Sequence, residues 1–147
     1  MRRNTFVAIA IAVVALMAIA QTPASAWGGR LSTKSPVPYA GETITIDVVA
    51  DLGGQLGRDP NALRVTNFCW PTGGTAVFVT QRSAITWTTV AKTHVEGTAS
   101  FVLTDPAWPS TGSVDCEAYL WRVPNDSVAK SFSLIQFRVY QPPPPPP

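Results

Sequence analysis

The sequence predicts an all-β chain, an immunoglobulin-like two-sheet antiparallel sandwich of about seven strands, on three observations. Apolar and polar residues alternate with a period of two through short segments rich in Val, Ile, Thr and aromatic residues, with Gly, Pro, Asn and Asp clustered between them. No stretch keeps a helical period over a useful length. The only two cysteines, Cys69 and Cys116, both fall inside alternating segments. In roughly 110 residues that pattern fits two packed sheets, with a small closed barrel as the alternative. There are no internal repeats.

Residues 1–26 are built like a secretory signal peptide: Arg2 and Arg3, an apolar run over 6–20, and Ala24-Ser25-Ala26 as a small-x-small cleavage site. The run is shorter than the roughly 20 residues a membrane-spanning helix needs. Gln21 and Pro23 end it, which speaks against an uncleaved anchor, and no cysteine follows to carry a lipid. General secretion is the expected route, since the residues after Arg2-Arg3 match the twin-arginine signal poorly. The expected location is secreted or cell-envelope, with no stable membrane span after cleavage. Cleavage takes two of the eleven basic residues, leaving nine against nine acidic ones and a mature net charge near zero. No basic stripe remains to neutralise phosphates, so nucleic acid is not an expected partner. About 120 residues remain, enough for one domain with a core.

The mature chain divides into a lead-in over 27–35 without periodicity, a sandwich over 36–140 and a proline tail over 141–147. Residues 36–42, with Pro36, Pro38 and Gly41, predict an edge segment and turn. Residues 43–49 predict a strand, Ile44, Ile46 and Val48 on one face and Thr43, Thr45 and Asp47 on the other. Residues 51–61 carry three glycines and Pro60 and predict a loop. Over 63–70 Leu63, Val65, Asn67 and Cys69 share one face, and Arg64, Thr66, Phe68 and Trp70 the other. A turn follows at Pro71-Thr72-Gly73-Gly74. Shorter strands are expected over 76–80 and 85–91, around a polar turn at Gln81-Arg82-Ser83. Residues 92–97 predict a hairpin turn that exposes His94, and 98–104 a strand with Ala99, Phe101 and Leu103 inward. After a loop over 105–112, residues 112–123 alternate clearly, Val114, Cys116, Ala118 and Leu120 against Asp115, Glu117, Tyr119 and Trp121. A turn at 124–127 leads to a last strand over 132–140, with a bulge expected where the apolar phase shifts between Leu134 and Ile135.

Two cysteines 47 positions apart in an exported chain predict a Cys69–Cys116 disulfide, with two buried thiols as the alternative. A metal site is disfavoured, because His94 is the only histidine and no Cys-x-x-Cys occurs. No cofactor is implied. Catalysis is not expected: a Cys69 nucleophile would have only His94 as base, and neither a phosphate loop nor a serine elbow is present. Asp115 and Glu117 share a strand face at i, i+2, which suits acid–base chemistry or, more ordinarily, a solvated face.

The binding prediction rests on parity. With Cys69 and Cys116 pointing one way, Phe68, Trp70, Tyr119 and Trp121 point the other. If their strands are neighbours, these aromatics gather with Asp115 and Glu117 on one sheet face. The alternative is ordinary packing, the rings covered by the 51–61 loop or by Trp108.

Three stretches resemble the neocarzinostatin-type apoproteins, small secreted immunoglobulin-like sandwiches that carry an enediyne chromophore: Cys69-Trp70-Pro71-Thr72-Gly73-Gly74, Gly97-Thr98-Ala99-Ser100-Phe101-Val102-Leu103, and Gly112-Ser113-Val114-Asp115-Cys116. The resemblance implies an immunoglobulin-like fold and a ligand crevice in the aromatic region. The family's two short-range disulfides each need a second cysteine, near Val79 and near Trp121, where this chain has none. The expected function is a secreted non-catalytic module holding a hydrophobic small molecule or a secreted or envelope protein. The alternative is a structural envelope domain without a small ligand. The tail, extended as a polyproline helix, serves as a spacer or as a ligand for a proline-binding groove.

Overall fold

The computed structural model describes residues 28–34, 37–77, 79–104, 108–109 and 112–147; the expected signal peptide lies outside them. The chain is all-β. Eight strands form two four-stranded antiparallel sheets, one ordered β1-β2-β6-β5 and the other β4-β3-β7-β8. The first sheet holds β1 (Gly29–Thr33), β2 (Thr43–Asp51), β5 (Thr86–Val90) and β6 (His94–Val102). The second holds β3 (Leu63–Pro71), β4 (Val79–Ala84), β7 (Val114–Arg122) and β8 (Ser133–Val139). Among the described residues the only helical pieces are single 3-10 turns at Gly54–Leu56, Pro60–Ala62 and Val128–Lys130, and no helix is long and apolar enough to cross a membrane.

Period-two patterning explains the layers. In β2, Ile44, Ile46, Val48 and Ala50 are fully buried, while the residues between them are half-buried or exposed. In β7, Val114, Cys116, Ala118 and Leu120 face the same core, which β3 completes with Leu63, Val65 and Cys69. The sheets are also tied at their edges. The amide of Leu31 in β1 donates to Ser133 Oγ at 3.3 Å. Beyond β8, Tyr140 forms a parallel bridge with Tyr39, its amide donating to Pro38 O at 3.0 Å. That bridge leads into the turn ahead of β2, where Gly41 takes φ 94°, a conformation that favours glycine.

Four expectations are corrected. The lead-in contains a strand, β1, because Leu31 finds a buried site beside β2. Gln81-Arg82-Ser83 is part of β4 and not a turn, for Gln81 is bonded from both sides: Asn67 Nδ2 donates to its Oε1 at 3.2 Å, and its own Nε2 donates to Val102 O at 2.8 Å. The chain then changes sheets at the buried Ile85, making β4 and β5 nearly continuous. His94 opens β6, the turn before it closing with Ala91 N donating to His94 O at 2.8 Å. β8 pairs with β7 in unbroken register from Ser133 to Leu120 through Val139 to Val114. The apolar phase shift there is no bulge: Leu134 is an outward-facing apolar residue, 39% exposed.

Candidate functional site

The predicted disulfide is formed. Cys69 and Cys116 sit directly opposite one another in the β3–β7 ladder, with Cα atoms 4.2 Å apart. This spacing belongs to a non-hydrogen-bonded antiparallel pair, the position where facing side chains come closest. It is a cross-strand bond inside one sheet, a different framework from the two short-range disulfides that the resemblance implies.

Because β3 and β7 are neighbours, their outward residues share one face. The register sets Trp70 against Asp115, Phe68 against Glu117, Thr66 against Tyr119 and Arg64 against Trp121. β8 extends the rows with Arg138 beside Asp115, Gln136 beside Glu117 and Leu134 beside Tyr119. All six predicted site residues therefore stand on one surface.

The surface has two unlike halves. Tyr119 and Trp121 are each only 7% exposed. Tyr119 Oη donates to Asp126 Oδ1 at 2.7 Å, and Asp126, in the turn after β7, also accepts from Arg82 Nε at 2.6 Å. Burial, then the Asp126 carboxylate, push the Tyr119 phenol above its ordinary value. Trp121 Nε1 donates to Thr66 Oγ1 at 2.8 Å, a hydroxyl buried with it. These rings are architecture, tied by hydrogen bonds to the turn after β7 and to their own sheet.

The other half is only partly buried. Phe68 and Trp70 are half-buried, their ring centroids 5.5 Å apart and tilted by 31°, while Phe68 meets the edge of Tyr119 at 5.9 Å. Beside them Arg138 donates to Asp115 through Nε at 2.7 Å and Nη2 at 3.4 Å. That carboxylate holds the guanidinium above its already high ordinary value. Gln136 Nε2 donates to Glu117 Oε1 at 2.5 Å. Trp70, Asp115, Gln136 and Arg138, with Cys116 and Phe137, line a shallow depression of about 420 Å³. Depressions of about 430 and 440 Å³ lie beside Trp108 and beside Phe132, so composition rather than size distinguishes this one.

Sequence reasoning did not find Gln136, Arg138 and Leu134, though strand parity from Val139 backwards would have placed them outward. The expected bulge hid that signal. His94 lies on the other sheet: its Nδ1 is 2.9 Å from Asp51 Oδ1 and its Nε2 is 2.9 Å from Glu96 Oε1. The described residues contain no cluster of three or more His, Cys, Asp or Glu able to hold a metal ion. No protein-family model and no curated protein sequence matches the chain.

Proposed function

We propose that this chain is a secreted, non-catalytic binding module whose open half-face, Phe68 and Trp70 with Asp115 and Glu117, holds a small ligand or a partner segment with an apolar side. The observation carrying this is the contrast on one surface. Tyr119 and Trp121 are buried and hydrogen-bonded inward, whereas Phe68 and Trp70 stay partly in solvent beside fixed polar groups. A ring left out of the core where burial was available for its neighbours is the feature an interaction surface leaves. The disulfide supports an oxidising compartment. The strand order, β1-β2-β6-β5 facing β3-β7-β8 with β4 added, supports the immunoglobulin-like reading, since it follows the A-B-E-D and C-F-G arrangement. Two stretches of the neocarzinostatin resemblance, 69–74 and 112–116, meet at Trp70 and Asp115, which favours a ligand there.

Native mass spectrometry of the protein recovered from its own host tests this. The expected result is a retained mass that Trp70→Ala loses and Trp121→Phe keeps. Retention indifferent to Trp70 would overturn the assignment of the face. The covered half of the surface and the exposed residues of the proline tail favour a second reading, a structural envelope domain; recovery of bare protein throughout would point to it.

A further inference from the structure

We infer that the ligand of the open face is a neutral carbohydrate, a pyranose of an oligosaccharide lying on Trp70 with its hydroxyls bonded to Asp115, Glu117, Gln136 and Arg138; this rests on the binding reading above. The argument is one of unspent hydrogen-bonding capacity. A carboxylate accepts at about four lone-pair sites and donates nothing. Asp115 spends two contacts on Arg138, and Glu117 spends one oxygen on Gln136. The Glu117 Oε2 and Gln136 Oε1 acceptors and the remaining Arg138 N–H donors lie along the same edge of the aromatic pair, in successive rungs of the β3-β7-β8 ladder.

A ligand matched to this edge must both donate and accept beside an apolar face. A sugar ring does so, with C–H groups over the indole and hydroxyls that are donor and acceptor at once. The other occupants fit less well. A purely apolar molecule would strip water from the lone pairs of Asp115 and Glu117 that Arg138 and Gln136 leave unshared and return nothing to them, a costly desolvation. The prolines of the tail, 142–147, which follow β8 at this same end of the sandwich, offer carbonyl acceptors but no N–H, so they too give nothing to the unshared lone pairs of Asp115 and Glu117. A cationic ligand would meet Arg138 in the same row.

The test is NMR titration of the disulfide-closed protein, following the Trp70 indole N–H signal. The probes are hexasaccharides of glucose, N-acetylglucosamine and mannose, with a hexaproline peptide and the apolar dye anilinonaphthalene sulfonate as competitors. The expected result is a saturable shift with at least one hexasaccharide, weakened roughly tenfold or more by Trp70→Ala, as loss of an aromatic contact predicts. Glu117→Gln is expected to weaken it too, and Trp121→Phe to leave it unchanged. If only hexaproline or the dye shifts the Trp70 signal, the carbohydrate assignment is wrong and the binding face stands. If no probe shifts it, both fail. Pull-down on insoluble glucan and chitin separates a surface polysaccharide from a soluble oligosaccharide as the source.

Discussion

Asn67 is the polar residue on which the core side of the second sheet depends. It is fully buried, opposite Gln81 in the β3–β4 ladder, and its amide donates to Gln81, which donates in turn to Val102 O in the other sheet. The chain of amides thus crosses the sandwich. Asn67→Ala leaves Gln81 Oε1 without its donor and is expected to destabilise by about 1–3 kcal/mol, read as a lower urea midpoint. At the surface His94 stands between Glu96 and Asp51, and hydrogen bonding to Glu96 first, then Asp51, raises it above 6.5. A raised pKa means the folded state holds the proton more tightly than the unfolded chain. Its stabilisation is therefore complete below 6.5 and is lost as pH climbs through the folded value. The stability difference between the parent and His94→Gln should shrink as pH rises across neutrality; a difference constant with pH would contradict this. Trp121→Phe removes a buried donor to Thr66 and should cost about 1–3 kcal/mol of stability while sparing the open face.

At the level of elements, the edge strand β5 depends on a glycine in its neighbour. A Cβ at Gly97 would lie 2.5 Å from Thr86 O, 2.8 Å from Trp87 Cε3 and 2.9 Å from Ile85 Cγ2. The missing side chain lets β5 draw close to β6 and the Trp87 ring cover the gap. Gly97→Ala is expected to cost about 1–3 kcal/mol through overpacking, seen in thermal unfolding. Elements with strong alternation were legible in the sequence: β2, β3 and β7 lie where the pattern puts them, within a residue or two. β1 and β4 were not, for their short polar segments become strands only when a neighbour supplies the pairing and, for Gln81, the hydrogen bonds. β8 was found but misread, since an outward Leu134 breaks the alternation while leaving the register intact.

Across the whole molecule, the Cys69–Cys116 bond joins the two central strands of one sheet and closes a loop of 47 residues. On the chain-entropy account it stabilises by about 4 kcal/mol, so Cys69→Ala/Cys116→Ala should lower the unfolding free energy by about that amount in urea. The sequence by itself determined the all-β class, the inward faces of the principal strands, and the fact that Phe68, Trp70, Tyr119 and Trp121 point away from the cysteines. Those are consequences of period-two geometry, which is local. Only the tertiary structure decided that β3 and β7 are neighbours, that the turn after β7 brings Asp126 to Tyr119, and that β8 lays Arg138 and Gln136 beside the two carboxylates. Alternation fixes which way a side chain points but says nothing of what lies across the strand, because pairing joins residues far apart in the chain. The difference between a buried ring and a half-exposed one on this face is set there.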